Sequence, residues 1–533
     1  MRSALAGIVV AALVAGCTSD RSDVAVVSVA SVSPTSTSPS VGGGTTAPEP
    51  SSAGTTSPDT EEPATNPTDA SGPDTSGPDT TVADSTQLGT TAPNTGDGHS
   101  GVGDRLYPDL GNPGLDVAHY AVDVTYQPKS RDLQGHVELS ITATADLSDF
   151  TLDELDLDVA AVTVNGKKAA FTATDPELHI TPSKPIAKGD DFTVAVTYST
   201  TPVTGRSPAT DAGWFPTDTG AYTVDEPDGT RMWMPSNDHP TDKATFDVTM
   251  HVPKGLTAVA NGTMTVHTSG ADGETWSWKQ DQPMATYLTQ VIIGPYAIVD
   301  TTGPHGLPLS SVVLTQDKKL MQPFIDDIGP EITYFEQFFG PFPFDNYGIA
   351  MADSEPGLAM EEQGRSLFSR EDFVSGQLGG EESLLLSHEL AHQWFGDAVS
   401  PAQWQDIWLN ESFATYGQWM WLDHLGELDI ADEAQRNLDN RHDGGPPTGK
   451  PGIADLFSYD VYDGGAVVLQ ALRDTVGDTT FFGILQHWAQ DNRFEARTSA
   501  DFIELASKLS GKDLTKFFDD WLYASNLPDS FPN

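Results

Sequence analysis

Between about residues 106 and 300, apolar and polar positions alternate in short runs. The stretches 119–126, 135–142, 192–198 and 244–252 place an apolar residue at every second position, as in Tyr120, Val122, Val124 and Tyr126. That is the period of a strand with one face buried. Asn165-Gly166, Asn261-Gly262 and Asp272-Gly273 supply turn signals between such runs. The pattern predicts an antiparallel β domain of sandwich or saddle type over 105–302. From about residue 321 the period lengthens to that of a helix. Helices are predicted at 321–339, 381–396, 409–425, 465–475, 478–490, 499–510 and 514–523, with a strand at 345–352. The fold class is therefore α+β: a β domain, then a mainly helical domain over 303–533. A strand followed by two helices suits a hydrolytic domain whose edge strand receives an extended peptide.

Before residue 105 the pattern is of another kind. After Met1-Arg2 comes a twelve-residue apolar run, Leu5 to Gly16, too short to cross a bilayer but of signal-peptide length. It closes as Leu13-Val14-Ala15-Gly16-Cys17, which resembles a bacterial lipoprotein signal over 1–17 with Cys17 as the lipidated residue. The expectation is a chain anchored by lipid to the outer face of the cell membrane. Cys17 is the only cysteine, so an intrachain disulfide and thiol catalysis are both excluded. Residues 18–104 are rich in Ser, Thr, Pro, Gly and Asp, and Ser71-Gly72-Pro73-Asp74-Thr75 is repeated at once by residues 76–80. So little there can be buried that ordering would go uncompensated, and a disordered stalk is expected.

Charge narrows the partners. The chain carries 77 acidic and 27 basic residues, a net −50. Twelve acids and one base fall in 18–104, so most of the excess belongs to the remaining body. Nucleic acid is excluded as a partner, because its phosphates need a basic face. A cationic group such as a peptide's amino terminus is favoured.

The chemistry lies in His388-Glu-Leu-Ala-His392. Two histidines four apart share one helix face and can take two corners of a tetrahedral metal ion. Glu389 beside them can act as general base towards a metal-activated water, and Glu411 can close the ligand set. Leu384, Leu385, Leu386, Leu390, Ala391, Trp394 and Phe395 make this helix apolar. Buried histidines beside a carboxylate would be costly there without a metal.

The chain resembles the gluzincin aminopeptidase family, which includes aminopeptidase N and the leukotriene hydrolases. The resemblance rests on His388-Glu-Leu-Ala-His392-Gln-Trp-Phe-Gly followed by Trp408-Leu-Asn-Glu411. Further support comes from Leu358-Ala-Met-Glu361-Glu-Gln-Gly364, Tyr462-Asp-Gly-Gly465, the segment 517–522, and the segment from Met234 to Phe246. It covers roughly 106–525 and implies a thermolysin-like catalytic domain holding one Zn2+ per chain on His388, His392 and Glu411. It further implies Glu389 as general base and Tyr462 as hydrogen-bond donor to the oxyanion. Glu361 and Glu226 would bind the substrate's free amino terminus, with Ala359 and Met360 along its backbone. The implied substrates are peptides with a free N-terminus. The chain departs from the family pattern at Leu358, Glu362, Val224 and Gly464, where Gly, Asn, Gln and Lys are usual. Val224 points to a more apolar first side-chain pocket. The family's large helical domain is not expected after Tyr523, which would leave a more open cleft. Endopeptidase or epoxide hydrolysis on the same fold, or a non-catalytic extracellular binding protein, are the alternatives.

Overall fold

The computed structural model describes residues 101–533 apart from 203, 376–381, 442–443 and 533. Cys17 and the rest of the expected signal, with the stalk up to residue 100, lie outside the described residues. Residues 101–104, assigned above to the stalk, are folded: the Asp104 carboxylate accepts from the backbone N–H groups of Leu106, Tyr107 and Trp404.

The alternating runs become a large sheet. Eight strands lie side by side in the order Thr263–Ser269, Glu274–Met284, Ala244–Val252, Leu115–Gln127, Asp132–Ala143, Asp191–Thr200, Asp158–Val164 and Lys167–Lys168. The sheet is not purely antiparallel. Leu115–Gln127 and Ala244–Val252 pair in parallel, with His119 opposite Thr245. More than a hundred residues separate these two strands, ample chain for the crossover that parallel pairing requires. Val117, Tyr120, Val122, Val124 and Tyr126 are buried as the alternation predicts. A four-stranded sheet (Thr257–Ala260, Val291–Gly294, Ala221–Val224, Gly213–Pro216) and a three-stranded one (Phe150–Asp153, Glu177–Thr181, Ala170–Thr174) complete the domain.

The expected division at 302/303 falls inside a hairpin. Tyr296–Thr302 pairs with Pro308–Leu314, and both belong to the five-stranded sheet of the second, mainly helical domain. That sheet continues through Ile349–Ala352 and Ser366–Ser369 to its edge, the two-residue strand Ala359–Met360. The expected strand at 345–352 is continuous only over Ile349–Ala352; before it Tyr347 makes an isolated parallel bridge to Leu309, and the Asn346 side chain donates to the Gly364 carbonyl. Helices then pack on the sheet. Helix Glu382–His392 is buried from Leu385 to His392, so it shows no polar face. It ends four residues earlier than predicted, where the Asp397 N–H turns back onto the His392 carbonyl and Gly396 adopts φ +128°. Helix Ile430–Asn440 was not anticipated; the Asp429 side chain caps it, accepting from the Ala431 and Asp432 N–H groups.

Helix Glu382–His392 crosses helix Trp408–Leu425 at a narrow point. A Cβ on Gly417 would lie 2.8 Å from the Ala391 Cβ, so this pair of small residues sets the spacing of the two helices. The two domains are joined by buried polar contacts. Lys243 donates to the Asp397 carbonyl (2.7 Å), and the Tyr287 hydroxyl to the Gly396 carbonyl (3.0 Å). Among the described residues no helix is long and apolar enough to cross a membrane.

Candidate functional site

The Gly417–Ala391 contact brings three donors together. His388 and His392 project from one face of the first helix, and Glu411 from the first turn of the second. Their donor atoms form a nearly equilateral triangle. His388 Nε2 and His392 Nε2 are 3.1 Å apart, and the Glu411 Oε2 lies 3.5 and 3.3 Å from them. A tetrahedral ion with bonds of about 2.0–2.1 Å needs donor–donor edges of roughly 3.3–3.4 Å. The triangle has the size of one face of that tetrahedron. His392 Nδ1 faces the Phe395 carbonyl at 3.0 Å, which fixes the tautomer and leaves the Nε2 lone pair free. Gln418 bonds to His388. Burial opposes ionisation of Glu411, but the facing imidazoles outweigh it and hold this carboxyl down at about 2.

Around the triangle the structure gathers the remaining residues singled out in the sequence. Glu389 shares the helix and approaches Glu361 and His392, with donor atoms of all three within 4.8 Å of one another. Glu361 follows the edge strand Ala359–Met360, of which Met360 is buried and Ala359 half-buried. Glu226 reaches in from the β domain, just beyond strand Ala221–Val224, and clusters within 4.8 Å with Glu361 and Glu411. Glu226 Oε1, Glu361 Oε1 and Glu389 Oε2 are buried and have no hydrogen-bond partner among the described residues. Burial raises all three carboxyls above their ordinary range, and neighbouring carboxylates push Glu226 and Glu389 further. So much buried negative charge fits a bound metal and a cationic ligand group.

Tyr462 immediately precedes helix Asp463–Val476, and its ring stacks on His388 at 5.8 Å between centroids. Burial, reinforced by the surrounding carboxylates, pushes its hydroxyl well above the ordinary value, so it remains a donor. The Ser412 hydroxyl donates to the Val461 carbonyl (2.7 Å), tying Tyr462 to the helix that carries Glu411. A Cβ on Gly465 would collide with that hydroxyl at 1.7 Å, so this approach requires glycine.

Two residues that sequence reasoning missed complete the frame. The Gln393 side chain donates to the Glu361 carbonyl (2.8 Å) and accepts from the Gly364 N–H (2.8 Å). It is the neighbour of His392 in sequence, so its closeness to the site was readable. Gln290 carried no local signal, because its partners are distant in sequence.

Comparison with known proteins agrees with this geometry. Residues 117–288 match the Peptidase M1 N-terminal domain, and residues 326–521 match the Peptidase family M1 domain. The tricorn protease-interacting factor F2 of Thermoplasma acidophilum is 26% identical over 436 residues, 78% of this chain and 54% of its own length. Aminopeptidase N of Streptomyces lividans is 26% identical over 58% of this chain and 39% of its own length. The chain thus spans about half or less of these curated relatives. The crystal structure of an M1 zinc metallopeptidase from Deinococcus radiodurans superposes with a TM-score of 0.71 at 28% identity, covering 81% of this chain and all of that one. A mutant of that enzyme has been solved with a Tyr-Ser-Ala substrate, with a TM-score of 0.72 to this chain.

Proposed function

This chain belongs to peptidase family M1, and from that premise we propose that it is a zinc-dependent aminopeptidase. One zinc ion per chain would be held by His388, His392 and Glu411. The observation that carries the reading is the pair Glu226 and Glu361, two buried carboxylates from different domains converging beside the metal triangle. A free N-terminal ammonium satisfies both, whereas an internal peptide amide offers them no charge. The tripeptide bound to the Deinococcus enzyme, and the L-arginine bound to a two-domain M1 zinc metallopeptidase, are ligands of the same kind.

Zinc, when bound, supplies a Lewis acid and lowers the pKa of an attached water. The chain's own residues do the rest. Glu389 takes the proton of the attacking water and delivers it to the leaving amine. Its burial suits that exchange, since a raised carboxyl pKa brings it nearer the working pH. Tyr462 donates to the carbonyl oxygen as negative charge develops there. Edge strand Ala359–Met360 pairs with the substrate backbone. Val224 in the β domain gives the first side-chain pocket an apolar wall, favouring Leu over Arg; equal rates on the two aminoacyl substrates would remove that preference.

The test uses a peptide and its N-acetylated form on wild type and Glu389→Gln. The free peptide should be cleaved from its N-terminus, and chelator or the substitution should abolish cleavage. Cleavage of the acetylated peptide at a comparable rate would replace the reading with endopeptidase. We further propose that Cys17 is lipidated and holds the enzyme at the outer face of the membrane. Cys17→Ser should then release it into the medium, and retention of that variant in the membrane fraction would reject the anchor.

A further inference from the structure

The segment leaving the edge strand, Glu361 to Arg365, lies in the seam between the domains. Its first residue is pinned on the catalytic side, where Gln393 holds the Glu361 carbonyl and the Gly364 N–H. Its second residue faces the other way. Glu362 is fully buried, and its Oε2 accepts from the β domain's Gln290 Nε2 at 2.8 Å. Gln290 is itself immobilised. It donates to the Arg365 carbonyl (2.8 Å), accepts from the Arg365 guanidinium (3.1 Å), and donates its backbone N–H to Asn261 (2.7 Å).

Gln290 also leads directly to the other half of the amine pocket. The next residue, Val291, begins strand Val291–Gly294, and its N–H donates to the Thr223 hydroxyl at 2.8 Å. That strand pairs with Ala221–Val224, Tyr222 opposite Ile292, and Glu226 follows two residues later. An unbroken path therefore runs from Glu226 through two paired strands to Gln290, then through Glu362 to Glu361.

We propose that Glu362 is a positioning residue: by holding Gln290 it fixes the separation of Glu226 and Glu361, and so the affinity for a substrate's free amine. The proposal rests on reading those two carboxylates as the amine site. It accounts for glutamate where family members have asparagine. Asparagine is shorter by one carbon–carbon bond, about 1.5 Å, more than a 2.8 Å hydrogen bond tolerates. Burial raises the Glu362 carboxyl well above its ordinary value, so glutamine, of equal length and neutral, serves the same purpose.

The experiment compares zinc-loaded wild type, E362Q, E362N and Q290A on an aminoacyl chromogenic substrate, with folding and zinc content checked by thermal melting and metal analysis. E362Q should stay within about twofold of wild type in KM and kcat. E362N and Q290A should raise KM roughly tenfold while kcat falls less than about threefold, as expected for a lost hydrogen bond that acts on binding. Unchanged KM in E362N, equal losses in E362Q and E362N, or a loss confined to kcat would each overturn the proposal. Should E362N not fold, Q290A decides by the same criterion. Cleavage of N-acetylated peptide by wild type would instead remove the amine-site reading, and that result is obtained before any variant is compared.

Discussion

On the proposed mechanism Tyr462 and Glu389 act on one substrate carbonyl in different ways, and their removal should leave different kinetic signatures. Tyr462→Phe keeps the ring stacked on His388 and removes only the donor. Loss of an oxyanion donor costs about 100-fold or more in kcat, with KM expected within about twofold. A variant that loses KM and keeps kcat would show Tyr462 to be a binding residue. At this scale the sequence was most informative about groups whose spacing is local: His388, Glu389 and His392 share one helix, and their geometry follows from its period. Glu411 could be read as a third ligand from its place after the motif, but Tyr462, Glu361 and Glu226 could be placed only through family resemblance, since contacts between residues far apart in sequence leave no periodic trace. Gln290 was invisible for the same reason, and Glu362 was noticed only as a departure.

At the scale of elements, the site depends on how closely two helices approach. Gly417→Ala would ordinarily stabilise a helix by about 1 kcal/mol. Here the new methyl lands 2.8 Å from the Ala391 Cβ, and overpacking costs roughly 1–3 kcal/mol. The second effect should win. We expect a lower melting temperature and, because Glu411 moves away from the two histidines, zinc affinity weaker by about 10-fold or more, measured by dialysis against a chelator. A variant that gains stability and keeps its zinc would show that the helices separate freely. The apolar, buried helices were predicted to within a few residues. Ile430–Asn440 was missed because its sequence is polar and its single apolar stripe, Ala434 and Leu438, is short. The parallel pairing of Leu115–Gln127 with Ala244–Val252 was equally hidden, because alternation reports a buried face but not the direction of a neighbour.

The whole molecule carries an acidic interior that makes it sensitive to alkali. Burial raises Glu154, Asp238 and Asp242 to about 7, and pushes Asp153 and Glu177 upward as well. Groups whose folded pKa exceeds the unfolded value bind more protons in the folded state. Their stabilisation is complete below the unfolded carboxylate pKa and is lost as pH rises through the folded values. The melting temperature should therefore fall between about pH 5 and 8. Lys243, held down at about 7 by burial, works in the opposite sense above that range and should flatten the curve. Glu177→Gln, which removes one of these buried ionisable carboxyls, should reduce the fall. A melting temperature that rises steadily with pH would contradict this account. Lys243 is also a β-domain residue whose amine ends on the carbonyls of Asp397 and Ala398, in the turn whose Phe395 carbonyl orients His392. A β domain grafted from a relative must therefore bring a lysine at this position, or the turn beneath His392 loses its donor. What two family members can exchange is the matched seam, not the domain as its boundaries are drawn along the chain.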